Sequence, residues 1–109
     1  MSIFVVETYV VKAEKREEFT PRLNEFLKYK EDHPHLFPGL KSWKLYKQDI
    51  GRPAGLYIEM WEYESMAQMD QDRTCQEDEG MCRISSGFHQ LVDPTTFSTS
   101  IWTQVAHAT

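Results

Sequence analysis

Glu7 and Glu59 each interrupt a run of β-branched and aromatic residues, Ile3-Phe4-Val5-Val6-Glu7-Thr8-Tyr9-Val10-Val11 and Leu56-Tyr57-Ile58-Glu59-Met60-Trp61. A carboxylate placed in such a run is costly to bury unless it is paired or used. Two of them held close together in a water-poor space oppose each other's ionisation, so that one pKa rises, which is how a general acid or base is tuned. Glu7 and Glu59 are therefore the catalytic candidates. The competing reading is structural: each carboxylate pairs with a basic residue such as Lys44, or with one from a partner chain, and sets the register of an assembly.

Four rings stand near these carboxylates in the strand pattern. Tyr9, Tyr57, Trp61 and Trp102 suit the lining of a cleft for a flat aromatic or other apolar ligand, because rings offer large contact areas and polar tips that orient a substrate. The same composition also fills cores. His33, His35, His89 and His107 raise a metal reading, yet their spacing follows no ligand pattern, and no metal site is expected. Cys82 and His89 lie seven positions apart on one helix face, too far for a thiol and its base. There is no glycine-rich phosphate loop and no nucleophile elbow.

Composition narrows the partners. Twelve Lys and Arg against 17 Asp and Glu give a net charge of −5, which repels polyanions and makes nucleic acid an unsuitable partner. The residues Cys75 and Cys82 fall in a stretch with helical character, where their separation of roughly 10 Å forbids a disulfide. Both are expected as reduced thiols. The opening Met1-Ser2-Ile3-Phe4-Val5-Val6 has no basic leader and meets Glu7 too early for a signal peptide. With no apolar run of membrane-spanning length, a cytoplasmic protein is expected, forming one domain over residues 1–109.

The elements that must position these residues follow from periodicity. Ile3–Val11 predicts a central strand. Phe19, Leu23, Phe26 and Leu27 mark an amphipathic helix from Glu14 to about Lys30, with Pro21 either in an early turn or at a restart capped by Thr20. Prolines 34 and 38 and Gly39 then turn the chain. Leu40–Gln48 and Leu56–Glu62 form a hairpin. Ser65 and Gln68 make a capping box for a second helix. After an acidic break at Glu77-Asp78-Glu79-Gly80, Met81, Ile84, Phe88, Leu91 and Val92 predict a third helix, ended by Asp93-Pro94. Thr96–Val105 predicts the last strand.

The order β-α-β-β-α-α-β is that of an α+β, ferredoxin-like fold: a four-stranded antiparallel sheet with the helices on one face. The purely apolar row Leu56, Ile58 and Met60, with Phe4, Val6 and Val10, is assigned to the helices. The row containing Glu7, Tyr9, Tyr57, Glu59, Trp61 and Trp102 then faces away, and so much exposed apolar surface predicts a homodimer packed through it. Met60, Met66, Met69 and Met81 are expected in the core.

The chain resembles the dimeric α/β-barrel superfamily that includes antibiotic-biosynthesis monooxygenase-like domains. The likeness covers nearly its whole length and rests on Phe4–Lys12, on Glu17-Glu18-Phe19, on Pro38-Gly39-Leu40 and on Tyr57-Ile58-Glu59-Met60-Trp61-Glu62. The resemblance implies a cleft between sheet and helices. It also implies activities that range over cofactor-free oxygenases of aromatic polyketides, lactone isomerases, haem-degrading enzymes and proteins without assigned activity. Haem-degrading members look like a strand-one Asn, a Trp and a last-helix His acting together. Here His89 would supply the axial ligand, whereas the only Asn is Asn24 and strand one carries Glu7. Two functions compete: a monooxygenase-like or isomerase-like enzyme for a small hydrophobic or aromatic molecule, expected to work with no cofactor, and a non-catalytic ligand-binding or assembly domain. Haem binding is the third possibility.

Overall fold

Three eight-residue runs of strand-forming side chains pair with a shorter one near the end of the chain to make a single antiparallel sheet. The computed structural model describes residues 2–72 and 78–109. Cys75 and the start of the acidic break lie outside the described residues. The strands are β1 (Ile3–Val10), β2 (Leu40–Lys47), β3 (Leu56–Tyr63) and β4 (Ser98–Thr103), and the helices are α1 (Arg16–Asp32), α2 (Met66–Gln71) and α3 (Glu79–His89). The spatial order is β2-β3-β1-β4, with every neighbour antiparallel. This is the predicted ferredoxin-like arrangement, with β1 and β3 at its centre.

Local chemistry explains where the helices begin and end. Glu17 and Glu18 in the first turn of α1 and Lys30 in the last complement its dipole. The helix runs unbroken through Pro21, so of the two placements open for this proline the restart capped by Thr20 does not occur. The Ser65 hydroxyl accepts from the Gln68 N–H at 3.3 Å and opens α2 as predicted. The Asp78 carboxylate caps α3 through the Met81 N–H at 2.9 Å and also accepts from the Tyr29 hydroxyl at 2.5 Å, tying α3 to α1. No helix among the described residues is long and apolar enough to cross a membrane.

The two faces of the sheet are the reverse of the sequence expectation. Phe19 of α1 stacks on Tyr57 with ring centroids 4.3 Å apart, and Phe88 of α3 meets Tyr9 edge-on at 5.8 Å. The helices therefore cover the row that holds Glu7, Tyr9, Tyr57, Glu59 and Trp61. By strand alternation, Phe4, Val6, Val10, Leu56, Ile58 and Met60 lie on the uncovered face. The reason is volume: α1 and α3 stand off the sheet on bulky rings, and only a row of rings fills that gap, whereas an aliphatic row makes a flatter surface. Met60 and Met66 accordingly leave the core, Met66 being exposed, while Met81 is buried. Trp102 belongs to the uncovered face and is 61% exposed, with its indole N–H donating to the Ser100 hydroxyl at 2.7 Å.

Tyr9, Val11, Phe19, Leu91 and Val92 form the buried cluster. Leu91 and Val92 follow α3 and are sewn to the end of β1 by the Lys12 N–H to Leu91 carbonyl bond at 2.8 Å and the Asp93 N–H to Val10 carbonyl bond at 2.9 Å. The entry to β2 is equally tight. Gly39 is buried, and a Cβ there would run into the backbone carbonyl of Gln68 in α2. Gly39→Ala should cost about 1–3 kcal/mol in urea unfolding; an unchanged midpoint would mean that α2 shifts freely.

Candidate functional site

Register places the two carboxylates in contact range. Glu7 of β1 and Glu59 of β3 are directly opposed partners, with side chains on the same face at the sheet's centre. They border a cavity of about 130 Å³ between the sheet and the helices. Tyr9, Trp43 and Trp61 complete its floor. Leu23 and Phe26 of α1 form one wall, and Met81, Ile84, Ser85, Phe88 and His89 of α3 form the other. Phe37, Val92 and Phe97 complete the lining.

The two carboxylates differ in how they are held. Glu59 is 8% exposed, and both of its oxygens are engaged: Oε2 accepts from the Tyr9 hydroxyl at 2.6 Å and Oε1 from the Trp43 indole N–H at 3.1 Å. Burial raises its pKa, and the hydrogen bonds from Tyr9 and Trp43, with the nearby Trp61 indole and His89 ring, pull against that rise. The same burial, with the neighbouring Glu59 charge, raises the Tyr9 hydroxyl far above its ordinary value, so it stays a donor. Glu7 receives no comparable anchor among the described residues. Its pKa is pushed up to about 7, by burial first and by the charge on Glu59 second, against a weaker pull from the nearby Trp61 indole. One carboxylate is thus fixed, while the other is poised to exchange a proton near neutrality.

Of the residues singled out in the sequence, Glu7, Glu59, Tyr9, Trp61 and His89 converge on the cavity. They face the helices of their own chain rather than a partner. Tyr57 lies behind them, stacked between Tyr9 and Phe19. Trp102 lies on the opposite face, because it pairs with Phe4 in the β1–β4 register. Lys44 pairs with Met60 on that same far face, so it cannot neutralise Glu59. Sequence reasoning missed Trp43, Phe26, Phe37, Phe88, Phe97 and Ser85 as lining residues. A signal existed for the helical ones, since Phe26 and Phe88 sit in the apolar stripes of α1 and α3. Trp43 is reached by alternation along β2 once its pairing with Trp61 is known.

His33 stacks on Tyr29 with centroids 4.0 Å apart, and its Nδ1 lies 2.9 Å from the Tyr29 carbonyl. Among the described residues no three His, Cys, Asp or Glu side chains converge as a metal set.

The fold is shared with several solved structures of low sequence identity. A NIPSNAP family protein from Agrobacterium tumefaciens str. C58 superposes with a TM-score of 0.75 at 19% identity, over 98% of this chain and 89% of that one. A putative antibiotic biosynthesis monooxygenase from Caulobacter crescentus CB15 gives 0.71 at 17% identity, over 96% and 91%. An uncharacterized NIPSNAP-like domain protein from Burkholderia xenovorans gives 0.71 at 16% identity, over 99% and 89%. No protein-family model matches the chain, and no curated protein does. The architecture these structures share with the chain is the ferredoxin-like α+β fold. His89, the residue that would hold a haem, lies exposed at the C-terminal end of α3 on the lining of this cavity.

Proposed function

We propose that this chain, built on the fold of the dimeric α/β-barrel proteins, is an enzyme that takes a proton from a small hydrophobic, aromatic or quinone-like molecule, with Glu7 as general base. The observation that carries this reading is the asymmetry of the carboxylate pair. Glu59 is saturated by Tyr9 and Trp43, whereas Glu7 faces the cavity without such partners. Glu59 then acts as a fixed negative charge that keeps Glu7 basic enough to accept a proton. Trp61, Phe26 and Phe88 hold the substrate ring, and Tyr9 holds Glu59. Proton abstraction is the first step both of isomerisation, in which the proton returns to another atom, and of oxygenation, in which dioxygen takes the electron pair.

The test is a pH profile of turnover on a panel of hydroquinones and phenols, followed by oxygen uptake and by product spectra. Because the base must be ionised, the rate should rise with pH and reach half its plateau near the Glu7 pKa of about 7. Removing the neighbouring charge in Glu59→Gln should move that half-point to lower pH, since Glu59 is one cause of the rise. A profile that is flat, or unmoved by Glu59→Gln, argues against Glu7 as the base.

We further infer a homodimer formed through the uncovered sheet face. Ile58, Met60 and the exposed Trp102 and Tyr46 give that face an apolar surface of the kind a second sheet covers. Ile58→Lys, which would bury a charge in such a contact, should raise the dimer dissociation constant by roughly 100-fold or more in sedimentation. A dimer of unchanged strength would place the interface elsewhere.

A further inference from the structure

The indole N–H of Trp61 is buried near the Glu7 and Glu59 carboxylates but closes a hydrogen bond to neither, nor to any other of the described residues. Its neighbour Trp43, with ring centroid 6.1 Å away, is satisfied by Glu59. An N–H left unpaired in a dry site is costly, and the usual remedy is a ligand atom that accepts from it. Trp61 and Glu7 are diagonal neighbours on β3 and β1, on the same face and lining the same cavity. The site therefore offers a donor and an acceptor side by side at the edge of an apolar, ring-walled space.

We propose that the ligand of this cavity is a neutral single-ring aromatic bearing a hydroxyl, whose oxygen accepts from the Trp61 indole N–H and whose O–H donates to Glu7. The proposal rests on the general-base reading and names its substrate class. Size sets the single ring: the cavity measures about 130 Å³, close to the roughly 150 Å³ apolar cavity that takes up benzene in another protein. Hydrogen-bonding capacity sets the hydroxyl, which alone both accepts and donates at one atom. A ketone only accepts, and an ammonium only donates. Charge excludes an anion, because Glu7 and Glu59 line the space and none of its lining residues is Lys or Arg, so that a ring carboxylate is repelled; a ring ammonium is disfavoured because it cannot accept from Trp61.

The experiment titrates phenol, toluene, benzoate and benzylamine into the full chain at about pH 8, where Glu7 is ionised, and follows the indole resonances by two-dimensional NMR. Phenol should shift the Trp61 N–H and leave the Trp43 N–H in place, whereas toluene should leave Trp61 unmoved. Phenol should also bind roughly tenfold tighter than toluene, a difference that Trp61→Phe removes. Equal shifts with toluene, or binding of benzoate or benzylamine as tight as that of phenol, would overturn the proposal. The two readings fail separately. A Trp61 shift with a turnover profile indifferent to Glu7 ionisation defeats only the base, and a Glu7-dependent profile without the shift defeats only the hydroxyl-bearing ring.

Discussion

Glu7→Gln should lower turnover by roughly 10²–10⁴-fold, the usual effect of removing a general base, while the protein stays folded. Gln has the size and shape of the Glu side chain and keeps a carbonyl acceptor toward the cavity, but it is neutral and cannot take a proton. Because Glu7 is not among the partners that hold Glu59, the bonds from Tyr9 and Trp43 should survive the change. Loss of kcat with substrate affinity retained is the expected signature. Undiminished turnover in Glu7→Gln would transfer the chemistry to another group or remove it altogether. Tyr9→Phe separates the anchor from the base: it should weaken the hold on Glu59 and change turnover far less than Glu7→Gln does.

Stability should fall as pH rises from about 5 to about 8, by about 3 kcal/mol, and Glu7→Gln should abolish most of that fall. The Glu7 carboxyl has a folded pKa of about 7 against an ordinary value of 4.5. Below 4.5 both the folded and the unfolded chain hold the proton, and the full stability is present. Between 4.5 and 7 the unfolded chain releases it first, so rising pH favours unfolding until the folded form has also ionised. The separation of the two values corresponds to about 3 kcal/mol. Glu59, also raised by burial, acts in the same direction. Glu62, Asp78 and Asp93 act oppositely. Hydrogen bonds from Ser2, Tyr29 and Thr95 lower their pKa values, so their stabilisation is lost only at acid pH, below this window. Urea unfolding at the two pH values measures the effect, and stability that is level or rising toward pH 8 would contradict the burial of Glu7. The variant expected to be inactive is thus also expected to be the more stable one at pH 8, as when a functional group is held in a costly state.

Much of the architecture was legible in the sequence because it depends on local periodicity and end signals. Strand alternation, the apolar stripes of α1 and α3, the Ser65 cap and the turn at Pro34–Gly39 were each sufficient to place an element. The strand between Thr96 and Val105 was overextended. Its regular part is Ser98–Thr103, and all six residues are exposed, so burial does not enforce the pattern there. The helical stripes also carried half of the site without announcing it, since residues that read as core on α1 and α3 turn out to line a cavity.

The sequence by itself determined that Glu7 and Glu59 occupy central strands, that rings surround them and that the elements follow the ferredoxin-like order. Tertiary structure alone decided which face of the sheet meets the helices. A period of two defines two rows but not their sides, and the choice turned on the volume that Phe19, Phe26 and Phe88 leave to be filled. That one choice moved both carboxylates from a presumed partner interface into a cavity of their own chain and removed Trp102 and Lys44 from their surroundings. Tertiary structure also decided which carboxylate is free. The Tyr9 hydroxyl reaches Glu59 across 50 positions of sequence, and only the β1–β3 register, set by packing over the whole sheet, brings that donor to one glutamate and not to the other.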